Sequence, residues 1–116
     1  MANFMYVFRG GAFVHQGLSP SEVGAHLQKW TAWIAELAKS GHQPAGNAVQ
    51  ASGKTVRGKS KTVTDGPYAE AKDLVTGSLA IVAESLDQAT DLAKDCPIFL
   101  FDGSVEVRPV FEREGM

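Results

Sequence analysis

The densest run of groups able to do chemistry in this chain is Thr64-Asp65-Gly66-Pro67-Tyr68-Ala69-Glu70-Ala71-Lys72-Asp73. Pro67 fixes its own φ and Gly66 tolerates backbone angles closed to other residues, so the run predicts a sharp, rigid turn. Polar side chains clustered on a rigid turn are how a scaffold presents a site. Asp65 and Glu70 are paired carboxylates that can divide acid and base roles where their surroundings differ. Lys72 offers a cation to an anionic substrate, and Tyr68 a ring and a hydroxyl. The competing reading is structural: Asp65 closes the turn or caps a short helix beginning at Pro67, Tyr68 packs inward, and Glu70 and Lys72 are solvated.

Arg108, in Glu106-Val107-Arg108-Pro109, is the stronger anion binder, because a planar guanidinium grips a carboxylate with two bonds. Its alternative role is an ion pair with Glu106 or across a subunit interface. His15 lies in a loop after the first strand, where a cleft can open, and is a candidate acid or base. His26, one position before Leu27, borders a helix's apolar stripe and is expected to be exposed. These two and His42 form no pair at ligand spacing, so no metal site is expected. Cys96 is the only cysteine; it reads as an inert thiol in a reducing compartment. Gly10-Gly11 alone makes no phosphate or dinucleotide loop, and no cofactor is expected.

The elements that must position these groups follow from periodicity. Residues 3–9 alternate Phe4, Tyr6 and Phe8 against Met5 and Val7, a central strand covered on both sides. Ser19, Pro20 and Glu22 form a capping box with proline at the first helical position. Val23, Leu27, Trp30, Ile34 and Leu37 then mark the apolar stripe of a helix over 20–40, ended by Gly41. Trp30 and Trp33 are expected to pack in the core or an interface. A short strand within 42–50, interrupted by Pro44 and Gly46, comes next. A hairpin over 54–64 turns at Gly58-Lys59. A strand over 74–84 places Val75, Leu79 and Ile81 on one face and Thr76, Ser78 and Ala80 on the other. A helix over 86–94 and a strand over 105–111 complete the chain. On that last strand Glu106 and Arg108 face away from Val105 and Val107, toward solvent, a partner or a pocket.

The order β-α-β, hairpin, β-α-β is ferredoxin-like: an α+β fold with an antiparallel sheet and helices on one face. A second copy of the sheet is the simplest cover for the other face. At 116 residues the chain is read as one domain, 1–116, with room for one modest core. A net charge of −2 gives no general attraction to nucleic acid or an anionic membrane. The basic cluster Lys54-Thr55-Val56-Arg57-Gly58-Lys59-Ser60-Lys61 reads as a solvated hairpin tip. No apolar run reaches the ~20 residues needed to span a bilayer, and the start lacks a leader pattern. A soluble, cytoplasmic protein is the expectation.

Asp65-Gly66-Pro67-Tyr68-Ala69-Glu70-Ala71-Lys72 also resembles the Asp-Gly-Pro-Phe signature of the YCII-related family, its DGPF-type members in particular. The aromatic first strand, Leu18-Ser19-Pro20-Ser21-Glu22 opening a helix that ends Lys39-Ser40-Gly41, the segment 86–97 and the closing Gly103–Val110 strand are similar in the same order. The resemblance spans nearly the whole chain. It implies a homodimeric α+β barrel, with the signature turn bordering a pocket for a small molecule. The helix histidine and acid paired in one branch of the family fall near Lys29 or Trp30 and near Cys96, so that dyad is not carried over. Where the signature usually runs on into glycines and aromatics, this chain has Thr76, Gly77, Ser78 and Leu79.

The expectation is a small-molecule-binding protein whose activity the residues leave open, and the enzyme reading that this resemblance implies is cofactor-free proton transfer, of isomerase or lyase type, on a small anionic organic molecule. Asp65 or His15 moves the proton, while Arg108 and Lys72 hold a carboxylate in a pocket that Tyr68 and Glu70 help to line. The alternative is a non-catalytic ligand-binding or regulatory module, since DGPF-type genes commonly neighbour extracytoplasmic-function sigma factors.

Overall fold

The first strand, β1 (Ala2–Arg9), alternates as its sequence requires: Phe4, Tyr6 and Phe8 are buried, whereas Met5, Val7 and Arg9 are half-buried. The computed structural model describes residues 1–12, 17–66 and 71–112, the side chain of Ala71 excepted. The remaining elements are α1 (Pro20–Lys39), β2 (Ala45–Ala48), β3 (Gly53–Arg57), β4 (Thr62–Gly66), β5 (Val75–Ala83), α2 (Leu86–Ala93) and β6 (Ser104–Pro109). Short 3-10 turns lie at Ala71–Asp73 and Pro97–Phe101. The main sheet has the order β2-β5-β1-β6, with every neighbouring pair antiparallel. That is the ferredoxin-like arrangement, and β3 with β4 forms a separate two-stranded sheet.

One face of the main sheet carries the core. Phe4, Tyr6 and Phe8 of β1 and Leu79, Ile81 and Ala83 of β5 pack against Trp33 and Leu37 of α1 and Ala89 and Ala93 of α2. Val105 and Val107 of β6 join this cluster half-buried. Complete burial of a side chain such as Ile81 or Ile98 is worth about 1.5–3 kcal/mol. Aromatic rings tie the layers together: Tyr6 stacks on Trp33 at 5.9 Å, and Trp30 meets the edge of Phe8 at 5.2 Å. The Tyr6 hydroxyl donates to the Ala89 carbonyl and the Trp33 indole to the Leu92 carbonyl. Burial raises the Tyr6 phenol to about 12, so it stays a donor.

The start of α1 is the capping box its sequence predicts. Ser19 Oγ accepts from Glu22 N at 3.2 Å, and Glu22 Oε1 accepts from Ser19 N at 3.0 Å. The helix phase differs from the expected stripe: Leu27 is 48% exposed, while His26 is buried beside Trp33 and Leu37. The inward line therefore runs through His26, Trp30, Trp33 and Leu37, and the two indoles and the imidazole outweigh Leu27 for contact with the sheet. In β5, Gly77 joins Leu79 and Ile81 on the core side, whereas Val75 is pushed outward by a register shift opposite Phe8 and Arg9.

Three local features depart from expectation. Arg57 pairs with Thr62, so the hairpin closes over four residues, 58–61, rather than two. Gly58 and Lys61 take left-handed φ there, and Lys61 N bonds Gly58 O. The short strand expected within 42–50 runs Ala45–Ala48, and Gly46 lies inside it rather than interrupting it. The third departure follows Cys96, where Pro97–Phe101 forms a 3-10 turn with Ile98 buried to 1% exposure. Cys96 itself is buried, and burial raises its thiol to about 12, the inert state expected.

Replacing Tyr6 with Phe leaves the Ala89 carbonyl without its side-chain donor. The variant is expected to lose about 1–2 kcal/mol of unfolding free energy. Urea unfolding should show a lower midpoint with an unchanged slope, and an unchanged midpoint would contradict the assigned bond.

Candidate functional site

The side of the sheet away from the helices is the place where charge and apolar surface meet. β1 sends Met5, Val7 and Arg9 there, since their neighbours Phe4, Tyr6 and Phe8 point to the core. By register, β5 adds Ser78, Ala80 and Val82 beside them, and β6 adds Glu106 opposite Val7 and Arg108 opposite Met5. Met5, Val7, Ala80 and Val82 form an apolar centre, half-buried by their neighbours alone. Among the described residues no helix covers this face.

Two arginines share one glutamate on it. Arg9 Nε donates to Glu106 Oε1 at 3.4 Å, and Arg108 Nη1 lies 3.4 Å from Glu106 Oε2. Arg9 also donates through Nη1 to the Asp73 carbonyl at 3.2 Å. Two cations against one carboxylate leave a net positive charge, with the Arg9 and Glu106 side chains 38% and 42% exposed and that of Arg108 68%. The arrangement can orient a carboxylate or another small anion. The alternative reading of Arg108 is the one the structure shows: the residue pairs with Glu106, and the pair includes a second arginine. Arg9 escaped the sequence analysis, where it only ended a strand. Its odd position in the Phe4-Tyr6-Phe8 alternation was the available signal.

The end of the signature run is fastened to this corner. Gly10, at φ +66°, donates its N–H to the Leu74 carbonyl at 2.9 Å. A Cβ on Gly10 would lie 3.0 Å from the Lys72 carbonyl oxygen, so the backbone of Lys72 passes directly against the end of β1. Thr76 Oγ1 closes the same corner by donating to the Gly10 carbonyl at 3.0 Å. Lys72 and Arg9 thus share one rim of the sheet.

Asp65 is placed elsewhere. It is a β4 residue whose exposed carboxylate accepts from Lys54 Nζ at 2.8 Å across the hairpin. Nothing among the described residues links it to Arg9, Glu106 or Arg108. His15, Tyr68 and Glu70 lie outside the described residues. The described His, Cys, Asp and Glu form no group able to hold a metal ion, and no described helix is long and apolar enough to cross a membrane.

His26, expected at the surface, is 5% exposed. It borders an open depression of about 300 Å³ between the start of α1 and the 3-10 turn after Pro97, together with Glu22, Lys29, Leu100 and Phe101. Its Nε2 accepts from the Trp30 indole at 3.1 Å, and the Phe101 ring stands edge-on at 4.8 Å. With Nε2 accepting, the neutral ring carries its proton on Nδ1. That nitrogen pairing fixes Trp30 in the core, so His26 serves the fold at this position.

Comparison with known proteins adds the following. A family model described as the YCII-related domain matches residues 12–114. Among solved structures, the chain is similar to 5-chloro-2-hydroxyhydroquinone dehydrochlorinase from Burkholderia phenoliruptrix AC1100, in complex with 2,5-dihydroxybenzoquinone. The identity is 16% and the TM-score 0.46, over 97% of this chain and 96% of that one. No curated protein matches.

Burial, and next the charge of Lys29, lower the His26 pKa from its ordinary 6.5. As pH falls below about 6.5, the unfolded chain takes up this proton before the folded protein does. Stability is then full above that pH and declines as pH drops toward the folded value. His26→Gln should show a smaller loss of thermal midpoint than wild type between about pH 7.5 and about pH 5.5. Equal losses would contradict this role.

Proposed function

The chain belongs to the YCII-related family, and from that premise we propose that it is a small-molecule-binding protein that acts as a homodimer and seats a small organic anion on the open face of its sheet. The sharing of Glu106 by Arg9 and Arg108 carries this reading. Glu106 neutralises one guanidinium and holds both side chains in place, so the surplus charge is preorganised for an incoming carboxylate. The apolar centre of Met5, Val7, Ala80 and Val82 suits the hydrocarbon part of such a ligand, and equally the same face of a second copy. Packing two such faces together excludes water from the arginines and strengthens their hold on an anion.

The finer reading is proton transfer without a cofactor, as in an isomerisation or elimination. Asp65 or His15 is the proton acceptor, and Lys72, Tyr68 and Glu70 belong to the rim. The exposed Lys54–Asp65 pair is weakly held, so Asp65 is available to a substrate brought to the hairpin. The regulatory alternative shares the anion site and lacks the proton transfer. Asp65→Asn and His15→Gln, made singly and together, separate the two: the double variant loses turnover in the enzyme, and both leave ligand binding intact in a regulatory module.

Calorimetric titration with a panel of small carboxylates tests the site. Arg9→Ala and Arg108→Ala are each expected to weaken the best binder by roughly tenfold or more, the scale of a charged hydrogen bond. Glu106→Gln should tighten it, because it removes the competing carboxylate. Unchanged affinity in all three variants would overturn the placement of the site.

A further inference from the structure

Among the described residues, the β3–β4 hairpin has no extensive contact with any other element of its chain. Among the described residues, its backbone hydrogen bonds run between its own two strands and across its loop. The directly paired Val56 and Val63 are 64% and 58% exposed. The chain's extents of 49 × 44 × 18 Å and its 15.9 Å radius of gyration fit a projecting arm. A compact chain of this length would have a radius near ~13 Å. An isolated two-stranded hairpin is at best marginally stable in water, so this one calls for a surface to lie on.

Charge identifies that surface. Residues 53–66 hold four cations, Lys54, Arg57, Lys59 and Lys61, and one acid, Asp65, a net +3. With −2 for the whole chain, the rest carries −5. Lys54 is engaged by Asp65, whereas Arg57, Lys59 and Lys61 have no acid within ion-pair distance among the described residues. The opposite pattern lies on α2. Asp87, Asp91 and Asp95 recur every fourth residue along its exposed side and the turn after it, with Glu84 just ahead. Ala89 and Ala93 occupy the buried side. Among the described residues Asp91 alone of these is paired, with Lys94 at 3.1 Å. From Asp87 to Asp95 this stripe runs about 12 Å and sets three carboxylates against the three cations Arg57, Lys59 and Lys61 of the arm's end. Leu86, 44% exposed at the start of α2, offers an apolar contact for Val56 and Val63.

We infer that the arm docks its basic end on the acidic α2 stripe of a second copy of this chain. The open sheet face lies on the opposite side from α2, so this contact is separate from the sheet-to-sheet pairing proposed above and links pairs into larger assemblies. A nucleic acid is the poorer fit. The arm contains no aromatic side chain on which a base can stack, and the stripe supplies its counter-charge within the same protein.

Mixing heavy-isotope-labelled and unlabelled full-length protein, coupling amines to carboxylates with a carbodiimide, and reading the linked peptides by mass tests this contact. Links between Lys59 or Lys61 of one copy and Asp87, Asp91 or Asp95 of another are expected. Their yield should fall roughly tenfold in about 1 M salt, where the Debye length is about 3 Å. It should fall equally in the exposed variants Lys59→Glu/Lys61→Glu and Asp87→Lys/Asp95→Lys, and return when the two variants are mixed. Links confined within one copy, or no recovery on mixing, would overturn the inference, as would binding of a short duplex DNA by the same lysines in place of the cross-links. The readout does not involve Arg9 or Arg108, so it stands or falls apart from the anion site.

Discussion

A four-stranded sheet with helices on one side leaves its other side to be dealt with, and the rest of this structure turns on that. β1 concentrates the demand. Its even positions spend Phe4, Tyr6 and Phe8 on the core, tied to α1 through Trp33 and to α2 through the Ala89 carbonyl. Its odd positions then stand on the open face. Met5 and Val7 make that face apolar and Arg9 makes it charged, beside Glu106 and Arg108 of β6. A wholly polar surface would be content in water and a wholly apolar one would simply associate. A mixed one, with a preorganised surplus of positive charge at its edge, suits both a second copy and a small anion.

The described end of the run Thr64–Asp73 serves this corner in a way its residue types do not advertise. Asp65 ends up on the hairpin, paired with Lys54. The backbone after the turn wedges against Gly10, and the Asp73 carbonyl holds Arg9. Part of the run's contribution is therefore main-chain geometry: it fixes the guanidinium that the sheet then shares with Glu106.

Much of the fold was legible because strong local signals agreed with one another. The capping box at Ser19 and Glu22, the alternation in β1 and the facing of Glu106 and Arg108 away from Val105 and Val107 all follow from short-range rules. The departures have a common cause, which is competition settled by tertiary packing. Leu27 and His26 are adjacent on the helix, and local hydropathy favours Leu27. The bond from Trp30 and the Phe101 ring favour His26, and those partners are set by the fold. The 3-10 turn after Cys96 exists because Ile98 finds a buried place beside Gly103 and Gly11, and Gly11 is too distant in sequence to foretell it. Arg9 joined the site through strand pairing with β6, a contact between residues almost a whole chain apart.

The account stands most directly on whether the open face is covered by a second copy. The mass of wild-type protein in solution at high ionic strength, compared with a Val7→Asp variant, decides it. Val7 lies opposite Glu106 at the centre of that face and outside the core, so the substitution puts a further charge and its hydration where two sheets would meet. Two chains for the wild type and one for the variant, both folded, are predicted. A single chain for the wild type would contradict the account at its base, because nothing would then close over Arg9, Glu106 and Arg108.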